Sequence, residues 1–126
     1  MLDILIVDDS LIIRNNLKRQ LEELGHNVIA AAKSGKEAIA IYAKYHPDLV
    51  TMDITMPMMS GIEALKAIKK LNDDAKVIMI TSHGEEDLVM DAIKSGAKGY
   101  ILKPITHGKL TNAIEKVFPA WETESI

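Results

Sequence analysis

The segment LVTMDITMPMMSG, residues 49–61, places a single carboxylate between an apolar run and a proline turn. The run 49–52 has the length and the branched apolar content of a strand that is covered on both faces. Asp53 follows the run directly, and burying an unpaired charge costs free energy. The pattern therefore predicts that Asp53 either lies at an edge that solvent reaches or is kept there for chemistry.

Further apolar runs alternate with helical patterns along the rest of the chain. The other strand-like runs are residues 4–7, 28–30, 77–80 and 100–102, and apolar residues at i, i+3 and i+4 spacing separate and follow them. This alternation predicts five βα units with a parallel sheet and right-handed crossovers. The favoured fold is an α/β three-layer sandwich, a flavodoxin-like (βα)5 arrangement with strand order 2-1-3-4-5.

Local signals mark the sheet edge and the helix ends. The second apolar run, VIA, is short and leads into further alanines, so we expect an edge strand there. Gly25 and Gly96 follow the first and fourth helical patterns, where a left-handed residue often ends a helix. Ser60 and Glu63 have the spacing of a capping box at the start of the third helix.

Length and composition limit the class of protein. The 126 residues suit one domain, predicted for residues 1–117, with a C-terminal tail over residues 118–126. The net charge of 15 − 18 = −3 offers no basic stripe for nucleic acid, and the lack of cysteine excludes disulfides and zinc-thiolate sites. No stretch approaches the ~20 apolar residues of a membrane span, and the N-terminus does not resemble a signal peptide. We therefore expect a cytoplasmic protein that binds neither membranes nor nucleic acid.

Polar side chains stand where the predicted strands end. Strand 1 is followed by Asp8 and Asp9, strand 3 by Asp53, strand 4 by Thr81 and strand 5 by Lys103. Because the carboxyl ends of parallel strands lie on one edge of a sheet, these side chains are predicted to converge on one crevice.

The convergence predicts phosphoryl chemistry. Three neighbouring carboxylates repel one another unless one is protonated or a hard cation is bound. Oxygen ligands without histidine or cysteine favour Mg²⁺, with Mn²⁺ as an alternative, over zinc. Lys103 can hold an anionic oxygen, Thr81 can donate a hydroxyl to another, and Asp53 can act as an oxygen nucleophile.

Each of these residues also has a purely structural interpretation. The Asp8–Asp9 pair could form a turn and a helix N-cap, Thr81 could simply end a strand, and Lys103 could be a surface residue. Their joint occurrence on the matching strand ends of one fold favours the functional interpretation.

These residues resemble the receiver domains of two-component response regulators, and most of all the stand-alone receivers of chemotaxis systems. The resemblance covers residues 3–117 and rests on LIVDDS (5–10), LVTMDITMPMMSG (49–61), MITS (79–82) and SGAKGYILKP (95–104). It implies that Asp53 accepts a phosphoryl group from the phosphohistidine of a sensor histidine kinase.

The resemblance also implies a metal site. Asp9 and Asp53 would bind Mg²⁺ directly, together with the backbone carbonyl of Thr55, while Asp8 would act mostly through a metal-bound water.

A switch is implied as well. Lys103 would contact the phosphoryl oxygens, and the Lys103–Pro104 peptide bond would be cis. Thr81 would move toward the phosphoryl group and Tyr100 would turn inward behind it, which would change the face formed by helix 4, strand 5 and helix 5.

Two residues near the site are expected to tune it. Thr55 lies two positions after Asp53, and His83 lies two positions after Thr81. We expect both to help set the dephosphorylation rate, although His83 could equally serve only as a cap of helix 4.

The sequence thus predicts a signalling switch, a monomer when unphosphorylated, that turns over no external substrate. The expected output is binding of a flagellar motor switch protein in chemotaxis, with a phosphatase as a further candidate partner. One alternative is a phosphorelay, in which Asp53 passes its phosphoryl group to a histidine phosphotransfer domain. Another is a receiver cut from a longer regulator. A flavodoxin-type or phosphatase enzyme is a more remote alternative. Thr55 argues against the phosphatase, because it replaces the second aspartate that Asp-x-Asp phosphatases need.

Overall fold

The structure, a computed structural model, describes residues 1–82 and 86–119. The strands in these residues are β1 (Asp3–Val7), β2 (Asn27–Ala32), β3 (Leu49–Asp53), β4 (Val77–Thr81) and β5 (Gly99–Leu102). The helices are α1 (Leu11–Glu23), α2 (Gly35–Tyr45), α3 (Gly61–Leu71), α4 (Glu86–Lys94) and α5 (His107–Val117). The predicted alternation of strands and helices is confirmed.

The five strands form one parallel sheet in the order β2-β1-β3-β4-β5, which confirms the flavodoxin-like prediction. The alanine-rich β2 lies at an edge, as expected. In the centre, Val7 of β1 pairs with Met52 of β3, and Asp53 pairs with Ile80 of β4. This register brings the ends of β1, β3 and β4 to the same edge of the sheet.

Two apolar cores cover the two faces of the sheet. One core joins alternate residues of β1, β3 and β4 to α2, α3 and α4, and it includes Tyr42, Leu65 and Ala92. The other joins the remaining strand residues to α1 and α5, and it includes Leu17 and Leu110. The sheet is therefore the middle of three layers, and its carboxyl edge is held rigidly from both sides.

Helix ends agree with the local signals. Ser60 and Glu63 form the predicted capping box at the start of α3. Gly25 and Gly96 have φ angles of +92° and +107°, a conformation that glycine adopts without steric cost. These local choices fix where α1, α3 and α4 begin or end.

In the described ranges, none of the helices combines the length and the apolar character that crossing a bilayer requires. The predicted tail lies outside the described residues from residue 120 onward, and the division at residues 117 and 118 stays a prediction.

Candidate functional site

Three carboxylates meet at the carboxyl edge of the sheet. Asp53 is the last residue of β3, and Asp8 and Asp9 directly follow the neighbouring strand β1. Each of the three offers an oxygen atom within 4.8 Å of the others. Asp8 and Asp53 are buried, whereas Asp9 is exposed, so the cluster opens to solvent on one side.

Asp8 is fixed by the chain that leaves the site. Its Oδ1 accepts a hydrogen bond from the Ser10 amide at 2.9 Å, and its carbonyl accepts one from Arg14 Nη1 at 2.7 Å. Ser10, rather than Asp8 or Asp9, is the N-cap of α1, because its side chain accepts from the Ile13 amide. The structure therefore leaves both aspartate side chains out of the helix cap.

Lys103 reaches the carboxylates from β5. Its Nζ lies 3.0 Å from Asp8 Oδ2 and 3.9 Å from Asp53 Oδ1, and its side chain is largely buried. The Lys103 amide donates to the Thr81 carbonyl at 2.8 Å, and the peptide bond to Pro104 is cis. One ammonium thus stands between two buried carboxylates.

The charges at this edge do not balance. The pKa of Asp53 is raised from 3.8 to about 7, chiefly by burial and next by repulsion from Asp8, while Lys103 acts in the opposite direction. One lysine is therefore too little positive charge for three carboxylates, and the site has a deficit that a cation would fill.

The donor set fits a hard divalent cation. It consists of carboxylate oxygens, without histidine or cysteine among the described residues of the cluster. Such oxygen ligands suit Mg²⁺ or Mn²⁺, whereas zinc sites usually contain nitrogen or sulfur.

A cleft of about 450 Å³ leads to the carboxylates. Thr55, Thr81 and Lys103 line it together with the aspartates, so the structure brings together the acid, hydroxyl and ammonium groups singled out in the sequence. Thr81 is buried, and Thr55 is exposed at the rim. The roles expected of these residues in phosphoryl transfer stay predictions.

One expected switch residue, Tyr100, lies outside this cleft, and one expected tuning residue is not described. Tyr100 lies on β5 with 51% of its surface exposed, so its ring is outside the cleft. Its expected inward movement on phosphorylation stays a prediction. His83 lies outside the described residues, and so its expected role as a tuning residue or as a helix cap also stays a prediction.

A glycine shapes the backbone at the end of β3. The Gly61 amide donates to the Ile54 carbonyl at 2.7 Å, and a Cβ atom at Gly61 would overlap the carbonyl oxygen of Asp53. The β3–α3 turn can therefore close tightly behind Asp53 only with glycine at this position.

Several residues that hold the main chain near the site were not predicted from the sequence. Gln20 is buried, and its Nε2 donates to the Ile105 carbonyl at 3.0 Å, which ties α1 to the loop after Pro104. Arg14 and Lys109 also hold main-chain carbonyls near the site. In the sequence, the available indication of such hydrogen bonds is a polar residue on an otherwise apolar helix face. That pattern does not identify the carbonyl to which the residue donates.

The sequence of the chain is similar to those of known receiver proteins. A family model described as the response regulator receiver domain matches residues 4–115. The chemotaxis protein CheY of Bacillus subtilis is 46% identical over 113 residues, which cover 90% of this chain and 94% of that protein. CheY of Thermotoga maritima is 43% identical over 114 residues, covering 90% and 95% respectively.

Solved structures show the same similarity. A chain in the CheX–CheY–BeF₃–Mg²⁺ complex from Borrelia burgdorferi is 40% identical, with a TM-score of 0.89, and the match covers 92% of this chain and 88% of that chain. Sequence motifs, strand order and the acidic cluster all lead to one family. The chain belongs to the response regulator receiver domains of two-component signalling.

Proposed function

We propose that this receiver is a phosphorylation-activated switch that takes a phosphoryl group on Asp53 from a sensor histidine kinase. The proposal is supported by one observation above all, the meeting of Asp8, Asp9, Asp53 and Lys103 in one open cleft. Asp53 is the member that ends the central strand β3, so its main chain is part of the sheet.

The proposed step is a phosphoryl transfer between side chains. A carboxylate oxygen of Asp53 forms a bond to phosphorus while the P–N bond of the phosphohistidine breaks. The electron pair of that bond stays on the imidazole, which takes a proton from solvent. Lys103 holds a phosphoryl oxygen and Thr81 donates its hydroxyl to another, and both interactions stabilise the charge that spreads over these oxygens.

We also propose that the switch needs Mg²⁺. Asp9, Asp53 and the Thr55 carbonyl would hold it, and Asp8 would act through a water. When bound, the ion would supply positive charge against the carboxylates and the incoming phosphoryl group. The charge deficit around Asp53 supports this assignment.

The chain would turn over no external substrate. It would catalyse only its own phosphorylation and, by attack of water on phosphorus with return of the Asp53 carboxylate, its own dephosphorylation. The added charge gives Thr81 a new partner, and the response of Tyr100 would change the face formed by α4, β5 and α5. The unphosphorylated protein would be a cytoplasmic monomer.

Chemotaxis is the favoured pathway because the curated relatives at 43–46% identity are chemotaxis proteins. A flagellar motor switch protein is therefore the proposed output partner. A phosphatase also stays a candidate partner. A protein similar to CheX is another, since the similar Borrelia chain was solved in a complex that contains CheX. The alternative output is transfer to a histidine phosphotransfer domain.

The test of the site is covalent labelling. Purified protein is incubated with Mg²⁺ and acetyl phosphate or a phosphorylated sensor kinase, and acid-stable, base-labile label is counted. Wild type and Glu22→Gln, which loses an exposed carboxylate of α1, should be labelled equally, and Asp53→Asn should not be labelled. Equal labelling of Asp53→Asn would exclude Asp53 as the acceptor.

The test of the output compares two acceptors of the signal. Beads carrying a motor switch fragment should retain the phosphorylated form and release the unphosphorylated one. Fast loss of label to a phosphotransfer domain, without retention on the motor fragment, would instead favour the phosphorelay.

A further inference from the structure

The main chain on both sides of Lys103 is held by one side chain. Lys109 Nζ donates to the Leu102 carbonyl at 2.9 Å and to the Pro104 carbonyl at 3.0 Å. These two carbonyls flank the residue whose ammonium lies between Asp8 and Asp53. Hydrogen bonds from an ammonium group are stronger than those between neutral groups, so this bridge restrains the loop.

Helix formation does not explain a lysine at this position. Lys109 is the third residue of α5, and its amide donates to the N-cap side chain of Thr106 at 3.2 Å. A positive charge in the first turn opposes the helix dipole, and acidic residues are preferred there. α5 has no acidic residue in that turn. The favourable interaction available to the ammonium is the one with the two carbonyls.

The bridge completes a set of restraints around Lys103. On the sheet side, the Lys103 amide donates to the Thr81 carbonyl at 2.8 Å. On the side of α1, Gln20 holds the Ile105 carbonyl. Only Lys109 bonds on both sides of Lys103, among the hydrogen bonds of residues 1–82 and 86–119.

We propose that Lys109 is a positioning residue for phosphoryl transfer, which acts by holding the main chain from which Lys103 reaches the phosphoryl oxygens. The inference rests on the proposed function of Asp53 and Lys103. Loss of the bridge leaves the Lys103 ammonium present but lets its Cα shift, and a displacement of about 1 Å can slow a reaction on the order of a hundredfold.

The experiment uses the full chain and a matched control. Lys109→Met keeps most of the stem and removes the donors, and Lys109→Arg keeps charge and donors. Lys116→Met removes a lysine of the same helix whose side chain makes no hydrogen bond within the described part of the chain. The rate of Asp53 labelling by acetyl phosphate with Mg²⁺ is measured, with urea unfolding to verify that every variant is folded.

The rate is expected to fall on the order of tenfold in Lys109→Met, to recover largely in Lys109→Arg, and to stay unchanged in Lys116→Met. In a Lys103→Met background, Lys109→Met should cause no further loss, because the two residues act through one ammonium. Lys109→Gln, with a shorter stem and one amide group, serves as the second variant if Lys109→Met does not fold.

A second readout needs neither Mg²⁺ nor a phosphoryl donor. Amide hydrogen exchange at Lys103, whose N–H bonds to the Thr81 carbonyl, should become faster in Lys109→Met and not in Lys116→Met. An unchanged labelling rate in Lys109→Met, or an equal loss in the Lys103→Met background, would overturn the proposal. Absence of labelling in wild type would instead refute the proposed function, and exchange at Lys103 would still test the bridge.

Discussion

At the scale of single residues, the site is governed by the crowding of negative charge around Asp53. Burial and the neighbouring Asp8 both disfavour its ionised form, and Lys103 offsets only part of this effect. The arrangement costs stability in the protein without a bound cation, and under the proposed function it prepares the site for a cation and a phosphoryl group. Function and stability are therefore opposed at this residue.

Removing that charge should stabilise the protein without divalent cations. Because the folded pKa of Asp53 is raised from 3.8 to about 7, ionisation of Asp53 destabilises the fold above pH 7, and the penalty fades as the pH falls from 7 toward 4. Asp53→Asn should raise the melting temperature at pH 8 in EDTA by about 3 °C or more. The gain should shrink at pH 5 and in excess Mg²⁺.

Calorimetry of wild type, Asp53→Asn and Glu22→Gln checks this prediction. Glu22→Gln removes the same formal charge from an exposed position, so its melting temperature should stay close to wild type. A melting temperature of Asp53→Asn at or below that of wild type at pH 8 would contradict the charge-crowding explanation.

At the scale of elements, the β3–α3 turn determines where Asp53 stands. Val50 and Met52 anchor β3 in one core, and the capping box of Ser60 and Glu63 starts α3. Gly61 joins these two features by letting the helix start directly behind the Asp53 carbonyl. Strand, turn and helix thus hold Asp53 as one unit.

Gly61→Ala should damage both the fold and the site. The added Cβ would overlap the Asp53 carbonyl, so either the turn or the end of β3 must move, at a cost on the order of 1–3 kcal/mol. Labelling of Asp53 should slow as well. Urea unfolding and the labelling rate measure the two effects.

Gly108→Ala is the matched control, since a Cβ at Gly108 would meet no atom within 4 Å. Gly108 lies in α5, where alanine is favoured over glycine by up to about 1 kcal/mol, so this variant should be equally or more stable. Similar destabilisation by both substitutions would show that the close approach at Gly61 is not the cause.

At the scale of the whole molecule, hydrogen bonds join the N-terminal residues before β1 to the segment at the start of β2. The Leu2 amide donates to His26 Nδ1 at 3.2 Å, and the Asn27 amide donates to the Leu2 carbonyl at 2.9 Å. Burial, followed by the nearby N-terminal ammonium, lowers the pKa of His26 below 6.5. Protonation would put a proton on the nitrogen that accepts from Leu2.

Global stability should therefore depend on pH through His26. With a folded pKa below the unfolded value of 6.5, the contribution of His26 is complete above about pH 7 and declines as the pH falls through 6.5 toward the folded pKa. Asp53→Asn removes the opposing pH dependence of Asp53. In that background, urea midpoints at pH 7.5 and 5.5 should differ less with His26→Asn than without it. Glu22→Gln in the same background, which leaves His26 in place, should keep the full difference. An undiminished difference in His26→Asn would show that another group is responsible.

The sequence by itself determined the architecture and the membership of the site. Short branched runs that alternate with helical periods can bury their apolar faces only as a parallel sheet between helix layers. That topology places the carboxyl ends of all strands on one edge, and so the sequence alone predicts that Asp8, Asp9, Asp53, Thr81 and Lys103 lie together. The capping box of Ser60 and Glu63 is also predictable from the sequence, because its hydrogen bonds span only a few residues.

Only the tertiary structure decided how the site residues are held. Lys103 bonds to Asp8 across 95 positions, and Gln20 bonds to Ile105 across 85. The Lys109 bridge spans few residues, yet it depends on how β5 and α5 meet. Periodicity shows which side of an element is buried, but not which donor meets which carbonyl once the layers have packed. Those distances set the charge balance at Asp53 and the position of the lysine beside it.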